Sequence, residues 1–235
     1  MLKIQKHMRS QENKKRAEGM MAFFKTGEGQ YGHGDIFLGC WTTPQMQEFA
    51  KIHSNLSLKD LQELIKSPYH EERALALEIL EIQYKKNKDK KHIDFYLKNK
   101  HHINNWDLVD MSAYNIIGDF ALLKGKKKML LDLAKSSHHW DRRIAIVASL
   151  AFIRAKELDL TYTLAKKFLK DKEDLMHKAT GWMLREAGKR DLAKLLSFIK
   201  TYGSKMPRTM LRYAIEKLPE SQRKEILNST KPNVK

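Results

Sequence analysis

Helix breakers are scarce in this chain, and they are clustered. It carries 5 Pro and 11 Gly in 235 residues, and five of the glycines (Gly27, Gly29, Gly32, Gly34 and Gly39) fall within one stretch of thirteen residues. Elsewhere little interrupts a helix. Apolar residues recur at helical spacing across the remainder: Leu61, Leu64 and Ile65; Leu75, Ile79 and Ile82; Leu130, Leu133 and Ala134; Leu164, Phe168 and Leu169; Leu192, Leu195, Leu196 and Ile199. No stretch alternates as a strand would. Ser57 three residues before Asp60, and Thr43 ahead of Pro44, read as helix starts. The expected fold class is therefore all-α.

A coarse period refines this. Similar helix openings occur near Tyr69 (YHEERALALEIL), Trp106 (WDLVDMSAYNIIG), Trp140 (WDRRIAIVASLAF), Met176 (MHKATGWMLREAG) and Met206 (MPRTMLRYAIEKL), at separations of 37, 34, 36 and 30 residues. Helical-pair repeats of the armadillo and HEAT kind have comparable periods. The rhythm predicts an α-solenoid of stacked antiparallel helix pairs whose inner helices line a concave, basic groove; an irregular helical domain with accidental spacing is the alternative. Without a Pro-rich or Gly/Ser linker, a single domain is expected over 1–235. An N-terminal helix and the Gly-rich loop would occupy 1–43, helical repeats 44–228, and a flexible tail 229–235.

Charge points to the partner. Lys and Arg number 45 against 28 Asp and Glu, a formal net charge of +17, which favours a polyanion, with nucleic acid ahead of a membrane surface. The longest nearly apolar run, Ile144 to Ile153, is bounded by Arg143 and Arg154 and falls well short of the ~20 residues of a spanning helix. The opening MLKIQKHMRSQENKKR has no apolar signal core. One cysteine, Cys40, excludes an internal disulfide and any multi-cysteine metal site. A monomer in the reducing cytoplasm is expected, with no metal and no cofactor.

Three segments place chemistry. Lys178, Trp182, Arg185 and Lys189 fall at i, i+4, i+7 and i+11, one narrow helical stripe, with Ala179, Met183 and Ala187 on the opposite side. Cations flanking an indole suit a nucleic-acid backbone; a half-buried packing Trp182 with snorkelling cations is the alternative. Trp106 and Asp110 share a helix face, near the acid Asp107. Asp110 is either a functional carboxylate or an acid favouring the helix dipole. Trp140, Arg142 and Arg143 open the next inner helix and are expected to face the same groove as DNA-binding residues. Weaker candidates are the adjacent pairs His101-His102 and His138-His139, which lack metal-grip spacing, and Tyr31, His33 and Asp35 of the glycine loop, which has no phosphate-cradle order.

The segments AEGM at Ala17–Met20, FLG at Phe37–Gly39, WDLVD at Trp106–Asp110, WDRRIAI from Trp140 and KATGWMLREAGKR at Lys178–Arg190 together resemble the AlkD-type DNA alkylation-repair family. Its members are HEAT-like glycosylases that release 3-methyladenine and 7-methylguanine. The resemblance implies that Asp110 is the catalytic carboxylate and that Trp106 and Trp182 are aromatic groove residues. It also implies that Arg143 contacts DNA, with Lys178, Arg185 and Lys189 holding phosphates, and that bases leave double-stranded DNA without being flipped. Departures from the family pattern are the segment GCWTTPQMQEF before and after Pro44, and Phe23 where some relatives carry Tyr. Two other classes remain as rivals: a non-catalytic HEAT protein that binds bent or branched DNA, and a protein-binding scaffold.

Overall fold

The computed structural model describes residues 1–231. Among these no strand forms, and extended pairing is confined to an isolated parallel bridge between Ile36 and Tyr69. The chain is all-α and falls into two compact units, Met1–Ser112 and the part from Ala113 onward. No helix of the described residues is long and apolar enough to cross a membrane.

Unit 1 contains α1 (Lys3–Ser10), α2 (Lys14–Phe23), α3 (Thr43–Ile52), α4 (Leu58–Ile65), α5 (His70–Asn87), α6 (Lys90–Lys98) and α7 (Trp106–Ser112). Two helices stand where one N-terminal helix was expected. Asn13 separates them, because its side chain accepts the Arg16 amide (3.0 Å) and starts α2 afresh. At α4, Ser57 and Asp60 cap each other reciprocally, as their spacing suggests. The start of α3 lies one residue earlier than expected: Thr42 is the cap, its amide and hydroxyl donating to Gln45 Oε1 (2.9 and 2.8 Å). The long α5 is central, with Leu75, Ile79 and Leu80 fully buried and with α3, α4, α6 and α7 packed around it.

Unit 2 opens on a π-helical turn, Tyr114–Gly118, in which the Gly118 amide donates to the Ala113 carbonyl (2.8 Å). There follow α8 (Asp119–Leu123), α9 (Lys127–Leu133), α10 (His139–Arg154), α11 (Asp159–Lys167), α12 (Asp174–Gly188), α13 (Leu192–Tyr202), α14 (Arg208–Ile215) and α15 (Glu220–Ser229). The inner members stack in sequence: α10 on the π turn, α12 on α10, α14 on α12. The outer members α9, α11 and α13 pack against them. This is the packing of an α-solenoid, and the inner helices begin within two residues of the openings read from the sequence. The apolar run Ile144–Ile153 is the body of α10, buried nearly all round because neighbours cover it on several sides.

At the C-terminus, part of the expected tail is held. Arg208 donates to the carbonyls of Leu227 (2.9 Å) and Thr230 (3.2 Å), and Thr230 is buried. Residues 232–235 of that tail lie outside the described residues.

Close approach of α12 to α14 depends on Gly181. A Cβ built there would lie 2.5 Å from the Met210 carbonyl oxygen and 2.5 Å from the Tyr213 Cβ. Gly181→Ala should therefore destabilise the protein by up to roughly 2 kcal/mol in urea denaturation, because overpacking against backbone costs ~1–3 kcal/mol and is offset only in part by the ~1 kcal/mol that alanine gains in a helix interior.

Candidate functional site

The site in unit 1 is built on the first turn of α7, and three consecutive residues there are each tied down. Asn105, fully buried, accepts the Val109 amide through its carbonyl and the Trp106 amide (2.8 Å) through its side chain; its own Nδ2 donates to Asp35 (2.9 Å). Trp106 is half-buried. Its indole stacks on Phe24 (5.2 Å between centroids, 17° between planes), meets Phe23 edge-on, and donates from Nε1 to the Tyr31 hydroxyl (3.2 Å). Asp107 accepts the Leu108 amide on one oxygen (2.8 Å) and lies 2.7 Å from His70 Nε2 on the other. One turn on, Asp110 is half-exposed, on the same helix face as Trp106.

Behind this turn is a buried charge network. His70, from the start of α5, lies between two carboxylates: Asp107 at Nε2 and Asp35 at Nδ1 (3.2 Å). Asp35 also receives Arg73 Nη2 (2.6 Å). Phe37 stacks on the imidazole at 4.5 Å and Phe24 approaches it at 5.2 Å. Burial disfavours a charged ring, but the Asp107 charge and the hydrogen bonds to Asp107 and Asp35 outweigh it, so the His70 pKa is pushed up to about 9. Burial likewise opposes ionisation of Asp35. The His70 hydrogen bond, the Arg73 charge and the Asn105 amide override it and hold that carboxyl below the usual range.

The glycine loop is fastened to the same place. The His70 amide donates to the Ile36 carbonyl (2.8 Å), and Glu71 accepts the amides of Leu38 (3.0 Å) and Gly39 (2.7 Å). Gly39 has φ +63°, and a Cβ there would lie 2.5 Å from the Asn13 carbonyl oxygen. Glu72, fully buried, accepts from Gln5 (2.7 Å) and Arg9 (2.7 Å) and so docks α1. All four residues of the His70-Glu71-Glu72-Arg73 run are thus inside the protein. In the sequence this run shows only as a helix opening. Its available signal was four ionisable residues in the first turn of a helix whose position in the repeat is an inner one.

In unit 2, burial sorts the candidates. Trp140, expected in the groove, is 3% exposed and lies in the core beside His139. Arg143 is also buried; its Nη1 donates to the Leu175 carbonyl (2.6 Å) and ties α10 to α12. Arg142 forms a two-pronged pair with Asp171 (2.7 and 3.1 Å) and donates to the carbonyls of Ser136 and Ser137. Asp171 is itself almost wholly enclosed. On α12, Ala179, Met183 and Ala187 are buried while Trp182 is half-exposed. The cations of that stripe have acidic neighbours: Lys178 with Asp174 (2.8 Å), Arg185 with Glu216, and Lys189 with Glu186 (2.7 Å). The two lysine pairs are solvent-accessible and each contributes only ~0–1 kcal/mol, so a phosphate can displace the acid at small cost. The Arg142 pair is enclosed, and breaking it would cost several kcal/mol.

Cys40 is half-buried, and burial together with the Glu71 charge pushes its thiol up to about 12, so it remains protonated. Among the described residues no group of three His, Cys, Asp or Glu is arranged to hold a metal ion.

The raised pKa of His70 has a thermodynamic consequence. Its stabilisation is fully present below about pH 6.5, the ordinary histidine value, and is lost as pH rises through about 9. Unfolding free energy should fall over that window by on the order of 3 kcal/mol. In His70→Gln this part of the slope should disappear, as measured by urea titrations at a series of pH values.

The sequence matches the family described as DNA alkylation repair enzyme over residues 4–218. A solved structure described as a predicted DNA alkylation repair enzyme from Enterococcus faecalis superimposes with a TM-score of 0.71 at 19% identity, covering 89% of this chain and 98% of that one, a likeness of fold. No curated protein matches the sequence. The family match spans nearly the whole chain, and on that ground the protein belongs to the DNA alkylation repair enzymes.

Proposed function

We propose that this repair enzyme is a monofunctional DNA glycosylase, hydrolysing the N-glycosidic bond of cationic N3- or N7-alkylated purines in double-stranded DNA. The observation that carries the reading is Asp110, a half-exposed residue one helical turn beyond a Trp106 held by Phe24 and Tyr31. An alkylated purine already bears the positive charge that makes it a good leaving group, so no general acid has to protonate it. As the bond breaks, the electron pair leaves with the base, which becomes neutral, and positive charge moves to the deoxyribose. A carboxylate beside the sugar stabilises that charge. Water then adds to the anomeric carbon and releases a proton, and Asp110 is its acceptor in this reading.

The remaining residues have supporting parts. Trp106 packs against the sugar and backbone next to the lesion, its ring face favouring cationic character, and such a reaction proceeds with the base left in the duplex. In unit 2, Trp182 meets the backbone, while Lys178, Arg185 and Lys189 exchange their acid partners for phosphates. Arg142, Arg143 and Trp140 take a different part from the direct DNA contact first expected of them: Trp140 is packed in the core, and the two arginines tie the start of α10 to Asp171 and to the Leu175 carbonyl, at the beginning of the helix from which those contacts project. The reaction as written uses no metal and no cofactor.

Incubation with methylated duplex DNA should release free 7-methylguanine. Asp110→Asn should lower the single-turnover rate at least about 100-fold with duplex affinity nearly unchanged; undiminished release would remove Asp110 from the mechanism. Tight, salt-sensitive duplex binding by the unmutated protein with no base release would favour a non-catalytic DNA-binding protein instead.

Phosphate contact by the α12 lysines has its own measure. The slope of log affinity against log salt should decrease by about one for each of Lys178→Ala and Lys189→Ala. An unchanged slope in both would place the DNA elsewhere.

A further inference from the structure

We propose that His70 is a positioning residue for base release, one that fixes the first turn of α7 and thereby the aim of Trp106 and Asp110; the proposal rests on the glycosylase reading above. Neither ring nitrogen is placed to reach DNA. Both are taken up by protein carboxylates, Asp35 at Nδ1 (3.2 Å) and Asp107 at Nε2 (2.7 Å), and the side chain is 3% exposed.

The geometry makes His70 the common member of three ties on that turn. Asp107 is bound to it directly. Asn105 is bound through Asp35, which His70 shares. Trp106 stacks on Phe24, whose ring also lies 5.2 Å from the imidazole. The charged groups facing the ring are Asp35 from the glycine loop, Asp107 from α7, and Arg73 from α5 itself; Phe24 and Phe37 cover it from the α2 side and the loop. Glu71, the next residue, is engaged by the Leu38 and Gly39 amides.

Two carboxylates facing two ring nitrogens require two N–H donors, and only the imidazolium has them. Loss of one proton leaves a carboxylate facing a lone pair. Two negative and two positive charges in this network then become two negative and one positive. If Asp107 is the carboxylate released, a second mobile acid stands one turn before Asp110, on the turn that carries Trp106. A displacement of about 1 Å at a reacting group can reduce a rate by up to about 100-fold, so a small shift of this turn is sufficient.

The test is single-turnover release of 7-methylguanine from methylated duplex between about pH 6 and pH 10, with duplex affinity measured alongside. The unmutated protein should hold its rate to near pH 8 and lose it through about pH 9. Asp107→Asn keeps an acceptor for Nε2 but removes the charge that sustains the imidazolium. It should move the fall toward neutral pH and lower the rate at pH 8 about tenfold, with affinity unchanged within about twofold. His70→Gln, which cannot ionise, should be slow throughout and show no fall at all. A purely structural role would lower the melting temperature of both variants and leave the break where it was. Coincident pH profiles for Asp107→Asn and the unmutated protein, in an enzyme that Asp110→Asn inactivates, would overturn this assignment alone. An unmutated protein that releases no base would overturn the glycosylase reading and this assignment with it.

Discussion

The Arg73–Asp35–His70–Asp107 chain of charges is the interaction on which unit 1 depends. Its four members come from a glycine-rich loop, the central helix α5 and the first turn of α7, so one buried network fixes three segments far apart in sequence. Taking charges out of water costs several kcal/mol per ion, and such a network stabilises only when nearly every donor and acceptor is satisfied. Here alternating signs and the Asn105 amide come close to that condition, with the Arg73 Nε left unpartnered. The glycine-rich loop is thereby a wall of the site: Tyr31 holds the Trp106 indole, Asp35 anchors Asn105, and Phe37 covers His70.

Unit 2 follows another logic, in which the burial of each cation decides its use. Arg142 and Arg143 spend their donors on backbone carbonyls and an enclosed carboxylate, where removal would be costly. Lys178 and Lys189 sit in weak, accessible pairs. A net charge of +17 is therefore no count of phosphate-binding groups: part of it holds helices together, and only the exchangeable part is available to DNA.

Much of this was legible in residue order. The all-α class and the buried side of α12 at Ala179, Met183 and Ala187 follow from the 3.6-residue period, a local property that tertiary context reinforced here, and the inner-helix openings at Tyr69, Trp106, Trp140, Met176 and Met206 follow from the coarser repeat. Errors arose where a single side chain decided the matter. Asn13 split the N-terminal helix, Thr42 took the cap position, and a π turn interrupted the helical path after Ser112. Trp140 is a similar case: a tryptophan at a helix start can face a groove or a core, its neighbours in sequence do not distinguish the two, and here it is packed in the core.

The sequence by itself determined the repeat, the excess of positive charge and the pairing of Trp106 with Asp110 on one helix face, because each is set by spacing along a helix or by simple composition. Only the tertiary structure decided which ionisable groups meet: Asp35 with His70 and Arg73, His70 with Asp107, Arg142 with Asp171. Residues 29 to 38 positions apart are brought within hydrogen-bonding distance by helix packing, and no periodicity encodes that. Charge at such groups is an outcome of burial and partners together, so the ionised state of His70 belongs to the fold and not to the residue.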